Sequence, residues 1–251
     1  ARSYPFMVDA SENPVLAGDE AVLIARRTNC PVVVDPNRSA AVDYLISHCD
    51  IDIVLSDDGL QHYKMYRDIE ICVVDGKYMF GNYLCFPAGP LREPVDRLKN
   101  VDFIVINGES SKTANFSVPT FNMSMTPKNL VNLTNGEIRS FTGAPFNIGH
   151  TVQAVCAIGN PDSFYSMLEQ LPYPVSRFAF PDHYPFSPLD FDSEQISDRQ
   201  PIVMTEKDAV KCTQFANKNF WFLELKVEIP ELFLSELAER INECNQLIKE
   251  S

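Results

Sequence analysis

The patterning of the chain predicts an α/β fold, a mainly parallel sheet flanked by helices, and three observations carry the prediction. Short β-branched runs alternate with stretches of helical spacing, as in a parallel sheet covered on both faces. Of the 251 residues 45% are hydrophobic, enough to build a sizeable core. One apolar run after another ends in Asp, Asn or Gly, where open α/β sheets gather ligands.

The expected strands cover 31–34, 51–56, 69–75, 103–107, 152–159, 202–205 and 222–227. Helical spacing appears at 14–27, with Asp19 and Glu20 early and Arg26 and Arg27 late, the charge order a helix dipole favours. A second helix fits 38–48. A third starts at Asn160-Pro161-Asp162, and the last runs over 231–248 with Leu234, Leu237 and Ile241 on one stripe. Between 109 and 150 the chain turns polar, with Thr126-Pro127-Lys128-Asn129 and Asn135-Gly136 as turn signals. The Asn-Gly pair between Val131 and Ile138 predicts a hairpin. The expected organisation is one α/β half over 1–108, a hairpin linker over 109–150 and a second half over 151–251.

Composition excludes several functions. A formal net charge of −13 argues against binding a phosphate backbone, so nucleic acid is not an expected partner. No apolar run approaches the roughly 20 residues of a membrane-spanning helix. The seven cysteines are odd in number, scattered and without CxxC spacing, as expected of reduced thiols in the cytosol. The non-Met start, Ala1-Arg2, suggests a fragment.

The chemistry is expected at the strand ends. Asp57 and Asp58 close the expected strand 51–56, the way nucleoside triphosphatases present a Walker-B acid to magnesium, although a helix cap fits the pair as well. Gln61 and His62 follow within one turn. No GxxxxGK[ST] or GxGxxG pattern occurs; Gly76 and Gly81 have the separation but are followed by Asn82 and Tyr83. The segment 77–94 is broken by Gly and Pro yet rich in aromatics, and its Arg92 and Glu93 suit either a phosphate clamp with an anionic ligand or a surface ion pair. His183 sits in a Pro-flanked loop beside Asp182, which could orient its ring for proton transfer.

Together these motifs resemble the tetraacyldisaccharide 4′-kinases, which phosphorylate the lipid A precursor of Gram-negative bacteria. The resemblance runs through Gly18-Asp19-Glu20, Ser56-Asp57-Asp58-Gly59-Leu60-Gln61-His62-Tyr63, Asp75-Gly76, Phe80-Gly81-Asn82, 87–94, Gly159-Asn160-Pro161, Asp182-His183 and 204–211. It implies a P-loop NTPase-like kinase that uses ATP and Mg2+ on the 4′-hydroxyl of an acylated disaccharide lipid at the membrane surface. That places the protein peripherally on the cytoplasmic face of the inner membrane. By the same resemblance Asp19 is the general base with His183 as its partner, and Asp57 and Asp58 are the magnesium acids. Gln61, His62, Arg92 and Glu93 line the phosphate and metal region, while Thr205, Glu206, Lys207 and Asp208 face the nucleotide. The family carries its phosphate loop and a membrane-associating helix upstream of Gly-Asp-Glu, so the expectation for this polypeptide alone is little kinase activity. Two other readings stay open at this point: a non-catalytic nucleotide- or lipid-binding module, and a magnesium-dependent phosphohydrolase.

Overall fold

Most of the β-branched runs become strands of mainly parallel sheets flanked by helices, in two units that the chain visits alternately. The computed structural model describes residues 3–109, 116–147, 149–192 and 195–250. Its first unit comprises Ala1–Leu55 with Thr126–Leu225, its second Ser56–Met125 with Lys226–Ser251. The boundaries expected at 108 and 150 read the chain linearly, whereas each unit is assembled from two separate segments.

In chain order the first unit opens with β1 (Phe6–Val8), α1 (Pro14–Ala17), α2 (Asp19–Thr28), β2 (Val32–Val34) and α3 (Arg38–His48). The second unit holds β3 (Ile71–Asp75), a 3-10 helix at Val95–Asn100 and β4 (Phe103–Asn107). Strand β5 (Thr120–Asn132) begins in the second unit and ends in the first. The first unit continues with β6 (Ile138–Ser140), β7 (Val152–Cys156), α4 (Pro161–Leu168), β8 (Val175–Ala179), β9 (Ile202–Thr205) and α5 (Glu206–Cys212). Strand β10 (Phe220–Glu228) leads back, and α6 (Glu231–Glu250) belongs to the second unit.

In the first unit β10, β9, β7 and β8 pair in parallel, while β1 and β2 form a separate antiparallel ribbon. Every residue of β7 is buried, because parallel strands are covered on both faces. Ala154 and Cys156 point into a cluster with Phe164, Leu168 and Trp221; Val155 joins Phe186, Phe191, Met204 and Phe220 on the other face. In the second unit β3, β4 and the start of β5 pair in parallel. There Ile104 and Ile106 pack with Val74 and Phe80, and Phe103 and Val105 pack with Phe121 and Phe233 of α6.

Where expectation and structure differ, the causes are physical. No strand forms over 51–56: none of its residues pairs within the described chain, and Ile53 and Leu55 are exposed. A β-branched run becomes a strand only with a neighbour to complete its ladder. The expected helix 14–27 breaks at Gly18, whose φ of 90° ends α1 and starts α2. Strand β5 runs straight through the turn signal at Pro127, which falls between the residues paired with β4 and those paired with β6. The hairpin does form, with Val131 opposite Ile138.

Candidate active site

The first unit brings together two residues 164 positions apart. Gly18 lets the chain turn into α2 so that Asp19 opens the helix, buried at 7% exposure. Its Oδ1 accepts a hydrogen bond from the Glu20 amide at 3.0 Å, as acidic residues do in a first helical turn. His183 Nδ1 lies 3.1 Å from both Asp19 Oδ1 and Oδ2. Nδ1 thus faces Asp19, while the sequence neighbour Asp182 accepts the His183 amide at 3.0 Å and sets its Oδ2 3.8 Å from Nε2. His183 has φ 58°, and a cluster of Phe180, Tyr184 and Phe186 with ring centroids 4.8–5.4 Å apart anchors its loop. Tyr184 adds a hydrogen bond to Asp190, whose carboxylate also caps Ser187. The imidazole itself is half-exposed, so the pair has one buried member and one that meets solvent.

Helix α5 packs against this pair. Thr205 caps it, accepting the Asp208 amide at 3.1 Å and donating to Asp208 Oδ2 at 2.7 Å. Asp208 is fully buried and also accepts the Ala157 amide, so of the residues expected at the nucleotide it alone has no solvent-facing surface. Glu206 is bound by the Arg27 guanidinium through two hydrogen bonds, one of them at 2.7 Å. Lys207 Nζ donates to Glu20 at 2.9 Å and lies 3.5 Å from His183 Nε2. Burial pushes the Lys207 ammonium down, but the hydrogen bond to Glu20 and the charges of Glu20, Asp19 and Asp182 outweigh it and leave the pKa raised. Lys211, to which sequence reasoning assigned no role, sits one turn further along. Its signal was the i, i+4 spacing from Lys207.

The second unit carries the other group of expected residues. Asp58, in a turn at φ 49°, is 3.1 Å from Arg92 Nη1, and the same nitrogen donates to Gln61 Oε1 at 3.2 Å. Gln61 in turn donates to Glu93 Oε1 at 2.7 Å, and the Tyr63 hydroxyl donates to Glu93 Oε2. These two hydrogen bonds, Tyr63 first, hold the Glu93 carboxyl below its ordinary value. Arg97 extends the network to Glu70, and Arg67 ties Glu70 to the His62 carbonyl at 2.9 Å. Asp57 and the His62 ring are exposed. Tyr63 entered from sequence only as the end of the motif 56–63, without a role, and Arg67, Glu70 and Arg97 were not singled out, because nothing in their spacing marks a network that closes through the fold.

The loop 77–94 is ordered and sets Arg92 and Glu93 in place. Asp75 caps its first turn through the Lys77 and Tyr78 amides, and Phe80 is buried in the core beside β4. The far side closes as Phe86 N donates to Leu91 O at 2.8 Å and Leu91 N to Leu84 O at 3.2 Å. Gly89 lies against this closure: a Cβ there would collide with Asn82 Oδ1 and the Leu84 carbonyl oxygen. Asn82 cannot turn away freely, since its Nδ2 donates to Ala88 O at 2.9 Å.

Among the described residues no three His, Cys, Asp or Glu side chains gather around one ion position. The adjacent, exposed Asp57 and Asp58 still suit Mg2+, which takes one or two carboxylates and completes its shell with phosphate and water. Glu93 would reach such an ion only by exchanging its bonds to Tyr63 and Gln61.

The chain is similar to known proteins along nearly its whole length. The family profile of tetraacyldisaccharide-1-P 4′-kinases (LpxK) matches residues 1–242. The tetraacyldisaccharide 4′-kinase of Nitrosococcus oceani is 42% identical over 244 residues, 97% of this chain and 69% of that protein. The enzyme of the same name from Legionella pneumophila strain Corby is 42% identical over 235 residues, covering 92% and 68%. Among solved structures, LpxK from Aquifex aeolicus in its "apo" form in complex with ATP superposes with a TM-score of 0.72 at 27% identity, over 96% of this chain and 76% of that one.

Proposed function

The chain belongs to the tetraacyldisaccharide-1-phosphate 4′-kinase family, and from that premise we propose that it transfers the γ-phosphoryl group of ATP to the 4′-hydroxyl of the acylated disaccharide that precedes lipid A. The observation that carries the site assignment is the approach of His183 Nδ1 to both oxygens of Asp19 at 3.1 Å. A sugar hydroxyl attacking phosphorus must lose its proton as the new O–P bond forms and the bond to the bridging oxygen of ADP breaks. Asp19 takes that proton and His183 shares the charge.

Arg92 supplies donors to the phosphoryl oxygens. Its Nη1 is held by Asp58 and Gln61, and its side chain is 67% exposed, which leaves the rest of the guanidinium for a ligand. Asp57 and Asp58 would hold Mg2+, which when bound neutralises charge on the phosphates. Gln61 and His62 belong to the phosphate side. Thr205, Glu206 and Lys207 lie toward the nucleotide, with Asp208 fixing their turn from inside. No helix among the described residues is long and apolar enough to cross a membrane; we place the protein peripherally at the cytoplasmic face, where an acylated acceptor can be reached.

The test is transfer of labelled phosphate from ATP to tetraacyldisaccharide 1-phosphate by the full-length protein. Asp19→Ala is expected to lower kcat by about 100-fold or more, the scale of general-base catalysis, with KM for ATP little changed. Unchanged turnover removes Asp19 as base. Phosphate release from ATP without the lipid acceptor would move the reading to a hydrolase.

A further inference from the structure

The Asp19 carboxylate has a second neighbour that the reaction above does not use. Lys211 Nζ lies 3.7 Å from Asp19 Oδ2 and 2.7 Å from Asp208 Oδ1, with its side chain only 6% exposed. The other oxygen of Asp208 is fixed by the Ala157 amide at 2.9 Å and the Thr205 hydroxyl at 2.7 Å. Below the ammonium lies the Phe186 ring, 5.0 Å away. A lysine ammonium removed from water is costly unless it is paired, and one carboxylate would serve for pairing. Here it stands between two, and the second is the buried member of the Asp19–His183 pair.

We propose that Lys211 is a positioning residue for Asp19, set in place by Asp208; the proposal rests on the reading of Asp19 and His183 as the proton-accepting pair. Asp208 is clamped by the cap of α5 and by the chain just beyond β7, so it offers a fixed anchor for the Lys211 ammonium. From there Lys211 holds one side of the Asp19 carboxylate by charge, at ion-pair rather than hydrogen-bond distance, and presents both oxygens evenly to His183 Nδ1. It also supplies the counter-charge that an acceptor carboxylate with 7% exposure needs when water does not reach it. Helix α5 thus places one lysine against each member of the pair: Lys211 on the buried carboxylate, and Lys207 at the outer nitrogen of the imidazole. A displacement of about 1 Å in a catalytic group can cost 100-fold in rate, so such a hold has kinetic consequences without touching substrate.

The experiment compares Lys211→Met, Lys211→Arg and Asp208→Asn with the wild type in the full-length protein, in two readouts. Steady-state turnover with Mg-ATP and the lipid acceptor should show kcat lowered on the order of 100-fold in Lys211→Met. KM for ATP should stay within about twofold, and Lys211→Arg should recover at least about tenfold of the loss. Nitrogen-15 histidine spectra, assigned through His183→Gln, should show the His183 Nδ1 resonance displaced in Lys211→Met and returned toward its original position in Lys211→Arg. A folded Lys211→Met with wild-type kcat, a loss confined to KM, or an unmoved His183 resonance overturns the proposal. If Lys211→Met does not fold, Asp208→Asn decides: a fall in kcat with a displaced His183 resonance supports the brace, and wild-type behaviour overturns it. Failure of the underlying reading is separable, because it shows as unchanged turnover in Asp19→Ala while the His183 resonance still responds to Lys211.

Discussion

Replacing Gly89 by Ala tests whether the loop 77–94 is a rigid mount for Arg92 and Glu93. The added Cβ would meet Asn82 Oδ1 and the Leu84 carbonyl oxygen well inside contact distance, with the Leu84 carbonyl carbon at 2.8 Å. The Asn82 side chain can rotate away, at the cost of its 2.9 Å bond to Ala88 O, about 1 kcal/mol. The Leu84 carbonyl is backbone and accepts from Leu91 N, so relieving the second clash opens the loop closure one residue before Arg92. Overpacking of this kind costs about 1–3 kcal/mol, and the two lost bonds bring the sum to roughly 3–5 kcal/mol. Urea denaturation measures the total, and amide hydrogen exchange at Phe86 and Leu91 reports whether the closure opens. Introduced into Asn82→Ala, which already lacks the side-chain clash and its bond, Gly89→Ala should still cost roughly 2–4 kcal/mol against that single variant, from the backbone contact and the bond to Leu91. Gly89→Ala within about 0.5 kcal/mol of the wild type, with unchanged exchange at both amides, would refute the reasoning.

Phe233→Ala removes the ring that meets Phe103 edge-on at 5.7 Å and Phe121 at 5.3 Å. It should destabilise the second unit by about 3–5 kcal/mol in urea titrations, and a loss below about 1 kcal/mol would show that α6 is not part of that core. Glu93 has a folded pKa below its ordinary value of 4.5, so its stabilising contribution is complete above that pH and disappears as pH falls through the lower folded value. Tyr63→Phe, which deletes the largest cause of the shift, should flatten this part of the stability–pH curve, and an identical curve in the variant argues against the bond. Burial pushes the Cys156 thiol up to about 11 and Cys212 higher still, whereas Cys30 is exposed. Iodoacetamide followed by peptide mass mapping should label Cys30 in the native protein and Cys156 and Cys212 only after denaturation.

How much was legible in the sequence depended on whether the deciding contact was local. The runs 103–107 and 202–205 read as strands because buried parallel strands are continuous and apolar, and that signal needs no partner to be seen. The run 51–56 carries the same signal but lacks a paired neighbour in the described chain, a non-local condition that composition does not encode. His183 suited proton transfer by its chemistry, whereas Asp19 read as an ordinary first-turn acid and was paired with it only through the family resemblance; spacing alone offered Asp182 as the orienting carboxylate, and the structure sets Asp19 at Nδ1. Thr205 to Asp208 read as a strand-end turn, so the burial of Asp208 and the place of Lys211 emerged only once α5 was seen to begin there. The Arg92 network was half visible: Asp58, Gln61, Tyr63 and Glu93 lay in the motifs of the family resemblance, but the bond from Tyr63 to Glu93 and the place of Arg97 emerged only through three-dimensional closure.

The interleaving of the two units bears on how the protein is made. The segment Thr126–Leu225 leaves the ribosome before the closing piece of the second unit, Lys226–Ser251, so neither unit is finished at the moment its first half emerges. Phe103 waits for Phe233, and Asp19 waits for His183. Contacts of such long sequence separation are slow to form and leave apolar surface uncovered meanwhile. In the cell, the nascent chain should therefore be a client for chaperones until α6 has emerged and packed onto the second unit.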